Sequence, residues 1–201
     1  MMLRSFVAVE IPYEIQSAIG RSTGPLQKAL PKPLVRWVAP QNVHLTLKFL
    51  GDVSPANLEQ LAEALKVEAV AHEAFSISIG TVEAFPNPRR ARVIWIGLEA
   101  PAALMSLLHG VEAITARLGY PTENRPFSPH LTIGRVGQNV TGMDLQHICT
   151  SLEGTVVGKL GTLRVEAVDI FKSDLQPGGS VYTHLYTLPL RSTFEHQSET
   201  R

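Results

Sequence analysis

Hydrophobic positions along the chain switch between a period of two and a period near 3.6, and the switches predict an α+β order of elements. A strand is predicted over 3–9, followed by a helix from about Tyr13 that breaks near Gly24 and Pro25 and is ended by Pro31 and Pro33. A second helix should start at Ser54, with Ser54 as N-cap and Pro55 at its first position, burying Leu58, Leu61, Ala62 and Leu65. A third runs over 101–118, where Leu104, Leu107, Leu108, Val111, Ile114 and Leu118 keep helical spacing and Gly119 is placed to cap it. A short helical pattern recurs over 145–152. Strand signals fall at 43–50, 75–82, 92–98, 130–136, 160–171 and 182–190.

Stretches rich in Pro, Gly and Asn at 85–90, 120–129 and 176–180 read as loops inside one unit, not as linkers between domains. Residues 1–190 are therefore expected to form a single domain, and 191–201 a polar, frayed tail.

One segment occurs twice. His44-Leu45-Thr46-Leu47-Lys48-Phe49-Leu50-Gly51 lies over His130-Leu131-Thr132-Ile133-Gly134-Arg135-Val136-Gly137, matching His, Leu, Thr and Gly identically, at an offset of 130 − 44 = 86 residues. Two related halves, each offering the same strand to a shared site, predict a two-lobed, pseudo-symmetric fold. Strand alternation sends His44 and Thr46 one way and Leu45 and Leu47 into the core, and His130 and Thr132 repeat the arrangement. Two imidazoles and two hydroxyls around one point suit a tetrahedral anion, with proton-transfer groups on opposite sides. A single His-x-Thr on a strand is usually no more than a solvated polar face. Two copies with matched flanks reverse that reading, because a fold has no general need for the same pair on two distant strands. His72, His109 and His147 on predicted helices, His184 on a strand and His196 in the tail have no repeated neighbours.

Charge and composition narrow the chemistry. With 44% hydrophobic and 18% charged residues the chain should fold, and 18 Lys and Arg against 18 Asp and Glu leave no broad positive field for coating long nucleic acid. Any RNA contact should be local. The short apolar run at 6–9 is no signal peptide and cannot cross a bilayer, so a cytoplasmic location is expected, with no membrane contact. Cys149, the single cysteine, leaves no disulfide or CxxC motif and reads as a buried small hydrophobe. With no HExxH and no Cys/His cluster, neither a metal nor another cofactor is expected.

The paired His-x-Thr-x strands resemble those of the 2H phosphoesterase superfamily and, within it, the RNA 2′,3′-cyclic phosphodiesterase family first named 2′-5′ RNA ligases. The likeness extends to residues 4–9, to Arg36-Trp37-Val38 with Asn42, to the Arg125-Pro126-Phe127-Ser128-Pro129 lead-in, and to Ser173, Gly178 and Tyr182; it covers about residues 3–190. Gly134 stands where the pattern has a small alanine. The resemblance implies two antiparallel sheets facing a central cleft, with helices outside. It makes His44 the proton donor, His130 the proton acceptor, and Thr46 and Thr132 the phosphate-holding residues. It also implies an RNA ending in a 2′-phosphate as product, a choice of ester that physics alone leaves open.

Beyond the motifs, strand parity puts Arg135 opposite His130, yet at a strand end its long side chain can swing toward the groove; it is a candidate phosphate contact, with a surface charge as the competing use. Lys48 shares the parity of His44 and Thr46, with charge balance at the rim as the competing use. Phe127, Tyr182 and Trp37 are candidates to stack a nucleobase, against simple packing. The expected substrate is RNA with a 2′,3′-cyclic phosphate end, with tRNA fragments and small cyclic nucleotides both open, acted on by a monomer. RNA ligation by the reverse reaction, small cyclic-nucleotide hydrolysis, and a binding module without turnover are the alternatives. Retention of both histidines and both threonines favours catalysis.

Overall fold

The computed structural model describes residues 2–123, 126–155, 157–158, 160–176 and 179–192. Arg125, Gly178, His196 and the tail beyond Ser192 lie outside the described residues. Among the described residues, nine strands and four α-helices follow one another as β1 (Leu3–Glu10), α1 (Tyr13–Ala29), β2 (Val35–Trp37), β3 (His44–Val53), α2 (Pro55–Ala69), β4 (Phe75–Phe85), β5 (Val93–Leu98), α3 (Ala102–Arg117), β6 (His130–Val136), α4 (Gly142–Glu153), β7 (Gly161–Val165), β8 (Ala167–Gln176) and β9 (Gly179–Pro189).

Local chemistry accounts for most of these boundaries. The Ser54 side chain accepts from the Asn57 N–H at 3.2 Å with Pro55 behind it, and the predicted apolar stripe of α2 is buried. Thr141 and Asp144 form a reciprocal capping box at the start of α4, whose Cys149 is buried as expected. The predicted break in α1 does not occur, and the helix runs through Pro25 to Ala29. Pro25 forfeits one backbone hydrogen bond, but Ile15, Ile19, Thr23 and Leu26 are buried on one side of it, so packing carries the helix across. His72 falls beyond the end of α2, where it pairs with Glu68 at 2.9 Å.

Pairing makes two antiparallel half-sheets, β9-β8-β1-β3 and β7-β4-β5-β6, with the short β2 along the far edge of β6. They meet at one residue pair, Leu45 with Leu131. The halves exchange strands: β4 follows α2 in sequence yet pairs with β5, and β8 follows α4 yet pairs with β1. This exchange explains why the continuous strand predicted over 160–171 is instead β7 and β8, which serve opposite ends of the sheet. One apolar core joins the helices to the sheet face that carries Leu45 and Leu131. At the far end, the Arg191 guanidinium donates to Glu73 at 3.0 Å, so the chain stays tied for one residue past Leu190.

Gly134 is explained by close approach. A Cβ there would lie 2.9 Å from a Val35 methyl carbon and 3.0 Å from the Trp37 ring, because β2 packs against this stretch of β6. Trp37 itself donates its indole N–H to the Leu30 carbonyl at 2.9 Å and packs on the core, so it is a structural residue.

Candidate active site

The Leu45–Leu131 pair lies at the centre of the site. Antiparallel register about it sets His44 on the side of Thr132 and Thr46 on the side of His130, so the two histidines occupy opposite corners of a rectangle. Both leucines are fully buried, and alternation sends the four polar neighbours to the other face. All four are half-buried. No other described residue hydrogen-bonds to the Thr46 or Thr132 hydroxyl.

Each histidine is fixed in the same way by the backbone two residues before it. His44 Nδ1 lies 2.8 Å from the Asn42 carbonyl and His130 Nδ1 lies 2.7 Å from the Ser128 carbonyl. A carbonyl only accepts, so Nδ1 carries the proton in both rings and Nε2 is left to take or give one. Asn42 in turn donates from its side chain to the Ser180 carbonyl at 3.2 Å, which ties the approach to His44 to β9.

Aromatic rings wall both imidazoles. Phe6 lies 4.7 Å and Tyr182 4.9 Å from His44, the latter edge-on; Phe85 at 5.1 Å and Trp95 at 5.9 Å flank His130. Behind them Phe6 stacks on Phe171 and Phe85 on Trp95. Tyr182, a sequence candidate, thus stands at the site. Phe127 is half-buried and packs against the main core. Phe6, Phe85, Trp95 and Phe171 were not among the sequence candidates, because their place beside the histidines depends on which strands become neighbours.

Two bulges decide the remaining charges. Val7 pairs with Lys48 and Ala8 with Thr46, leaving Leu47 as an extra residue; Ile94 pairs with Gly134 and Trp95 with Thr132, leaving Ile133 extra. Leu47 and Ile133 are themselves 133 − 47 = 86 residues apart, so the bulge is duplicated with the motif. Each bulge reverses the strand parity after it. Lys48, expected beside His44, is turned into the interior, where only 2% of it is exposed and Nζ donates to both Glu112 carboxylate oxygens at 2.9 Å and to the Pro121 carbonyl. Arg135, expected on the opposite side, is brought to the face of His130. Its charge is felt at His44.

Burial pushes the His44 pKa below the usual imidazole value, and the Arg135 and His130 charges push it the same way; the hydrogen bond to the Asn42 carbonyl opposes them. An anion seated between these groups would reverse the charge contribution and favour the imidazolium. No cluster of three or more His, Cys, Asp or Glu placed to hold a metal ion occurs among the described residues. Nor is any described helix long and apolar enough to cross a membrane.

Comparison with known proteins gives the same two-part division. The profile of the LigT like Phosphoesterase family matches twice, over residues 9–95 and 96–182. An RNA 2′,3′-cyclic phosphodiesterase of Methanothermobacter thermautotrophicus is 33% identical over 92% of this chain and 97% of its own. One from Archaeoglobus fulgidus is 33% identical over 91% and 98%. Among solved structures, LigT of E. coli complexed with 3′-AMP superposes with a TM-score of 0.72 at 28% identity, covering 94% of this chain and 99% of that one. A Thermus thermophilus protein reaches 0.76 at 26% identity over 95% and 100%. With the repeat matched in both halves and relatives aligned along nearly their whole length, the chain belongs to the LigT-like phosphoesterase family.

Proposed function

We propose that this protein hydrolyses the 2′,3′-cyclic phosphate end of RNA to a 2′-phosphate, with residues 1–190 working as one bilobal domain and 191–201 outside it. The carrying observation is the placement of His44 and His130 at opposite corners about the Leu45–Leu131 pair, each with Nε2 left to exchange a proton. The relatives' printed activity supports the choice of substrate.

In this reading, His130 Nε2 takes a proton from water as its oxygen bonds to phosphorus. The bond from phosphorus to the 3′ oxygen breaks on the opposite side, and His44 gives that oxygen its proton. Thr46 and Thr132 donate to the non-bridging oxygens, and Arg135 balances their charge. The phosphate anion counters the positive neighbours that depress His44, so the acid is readied as substrate binds. Tyr182 and Phe127 would bound the RNA chain next to the reacting nucleotide. The reading carries with it a cytoplasmic monomer that acts on RNA ends without metal or cofactor.

Incubation in EDTA with an RNA bearing a 2′,3′-cyclic end, followed by determination of which oxygen keeps the phosphate, tests it. Opening to the 2′-phosphate is expected. Activity abolished by EDTA and restored by a divalent ion would overturn the metal-independent mechanism.

A further inference from the structure

The pseudo-symmetry equates two carboxylates that are treated very differently. In the first half, Ala8 pairs with Thr46 on one side and Asp169 on the other; in the second, Trp95 pairs with Thr132 and Glu83. Asp169 and Glu83 are therefore counterparts, each two strands from its motif threonine. Asp169 is 5% exposed, and its Oδ1 accepts from His184 Nε2 and from the Thr187 hydroxyl, both at 2.9 Å. Both donors come from β9. The second half has no such strand, because its edge strand β7 pairs only with Phe75–Ile79 of β4 and stops short of Glu83. The Glu83 carboxylate is exposed and, among the described residues, accepts no hydrogen bond.

The space left there is a cavity of about 540 Å³. Gly80 and Gly97, cross-strand partners without side chains, form part of its floor, Trp95 forms one wall, and Glu99 and Ser128 stand on its rim. A Cβ on Gly97 would come within 3.0 Å of the Thr81 hydroxyl oxygen and 3.5 Å of the Trp95 ring, so a side chain there would crowd the cavity. Gly97 pairs with His130, and Ser128 holds the His130 ring, so the cavity adjoins the second histidine.

Among the described residues, its lining has two carboxylates and no Lys, Arg or His. Such a surface repels phosphate and accepts N–H donors. One strand away from a phosphate held at His130, the group with donors to offer is the base of the same nucleotide. Guanine fits best, since its adjacent ring N–H and amino group match the two oxygens of one carboxylate. Uracil has a single N–H flanked by carbonyls that a carboxylate repels. We propose that the cavity at Glu83 seats the base bearing the cyclic phosphate and selects guanine over uracil through the Glu83 carboxylate. The assignment rests on the phosphodiesterase reading for its ligand class.

The test needs no turnover. Guanosine 2′-monophosphate and uridine 2′-monophosphate are titrated into the intact protein by calorimetry, beside the Glu83→Gln variant. Guanosine binding should be tighter by about tenfold, the usual scale for hydrogen bonds to a charged group, and the ratio should fall toward one in the variant. Equal affinities in the unaltered protein, or an undiminished preference in Glu83→Gln, would overturn the proposal. A parallel hydrolysis assay separates the two readings: base preference without ring opening counts against the hydrolase, and ring opening without base preference counts against Glu83.

Discussion

Leu45 of the first half pairs with Leu131 of the second, and this is the bridge through which the half-sheets join. It also lies at the middle of both His-x-Thr triplets, so the residue pair that closes the sheet is the one that aligns the site. Both side chains are fully buried, each contributing on the order of 2 kcal/mol by burial alone. A site built on strand interiors is held more rigidly than one built on loops.

That placement gives the threonines equivalent duties. Replacing Thr46 or Thr132 with Val keeps the shape and removes one donor to phosphate, at a cost of about 1 to 3 kcal/mol in transition-state stabilisation. Folding should be little changed. Steady-state kinetics on a cyclic RNA end checks this, and unaltered constants in both variants would show ordinary strand residues.

Lys48 should behave in the opposite way. Its side chain is 1% exposed and that of Glu112 19%, so Lys48→Met strands a partly buried carboxylate. The loss should be on the order of 3 kcal/mol, at the lower end for a broken buried pair because Glu112 keeps some water. Denaturant unfolding should show much of it restored when Glu112→Leu is added. A Lys48 variant with full stability and lost turnover would instead place the ammonium in the chemistry.

These two residue types show how far the sequence carries. The motif strands, their faces up to the threonines, the helix cap of α2 and the duplicated architecture were legible from periodicity and from the repeat. The sides taken by Lys48 and Arg135 were not, because a one-residue bulge at Leu47 and at Ile133 leaves no local signature yet reverses the side chains that directly follow it. The aromatic walls were hidden for another reason. Phe171 reaches Phe6 only because β8 crosses to the first half, and strand exchange is a long-range outcome that no window of sequence contains.

The Arg135 charge adds to the burial that lowers the His44 pKa. A cation nearby disfavours the imidazolium, so Arg135→Gln should raise the His44 pKa. The high-pH limb of kcat/KM, which reports loss of the proton from the acid in the free protein, should move upward, even as the rate at its plateau falls with the lost phosphate contact. Inorganic phosphate added to the unaltered protein should move the His44 pKa in the same direction. Imidazole resonances followed against pH decide the matter, and a pKa that stays or falls in both cases would remove Arg135 from the site.

The histidines should be unequal although their motifs are nearly identical, since one begins protonated and the other neutral. Replacing either with Ala should cost about 10²-fold to 10⁴-fold in rate, the usual range for a positioned acid or base. The most direct measurement compares the two variants on a phosphodiester whose leaving group needs no proton. That substrate should rescue His44→Ala, the acid, and leave His130→Ala impaired. Rescue at His130 instead would exchange the two roles within the same cleft. Full activity of both variants on the cyclic RNA end would contradict the paired acid and base altogether.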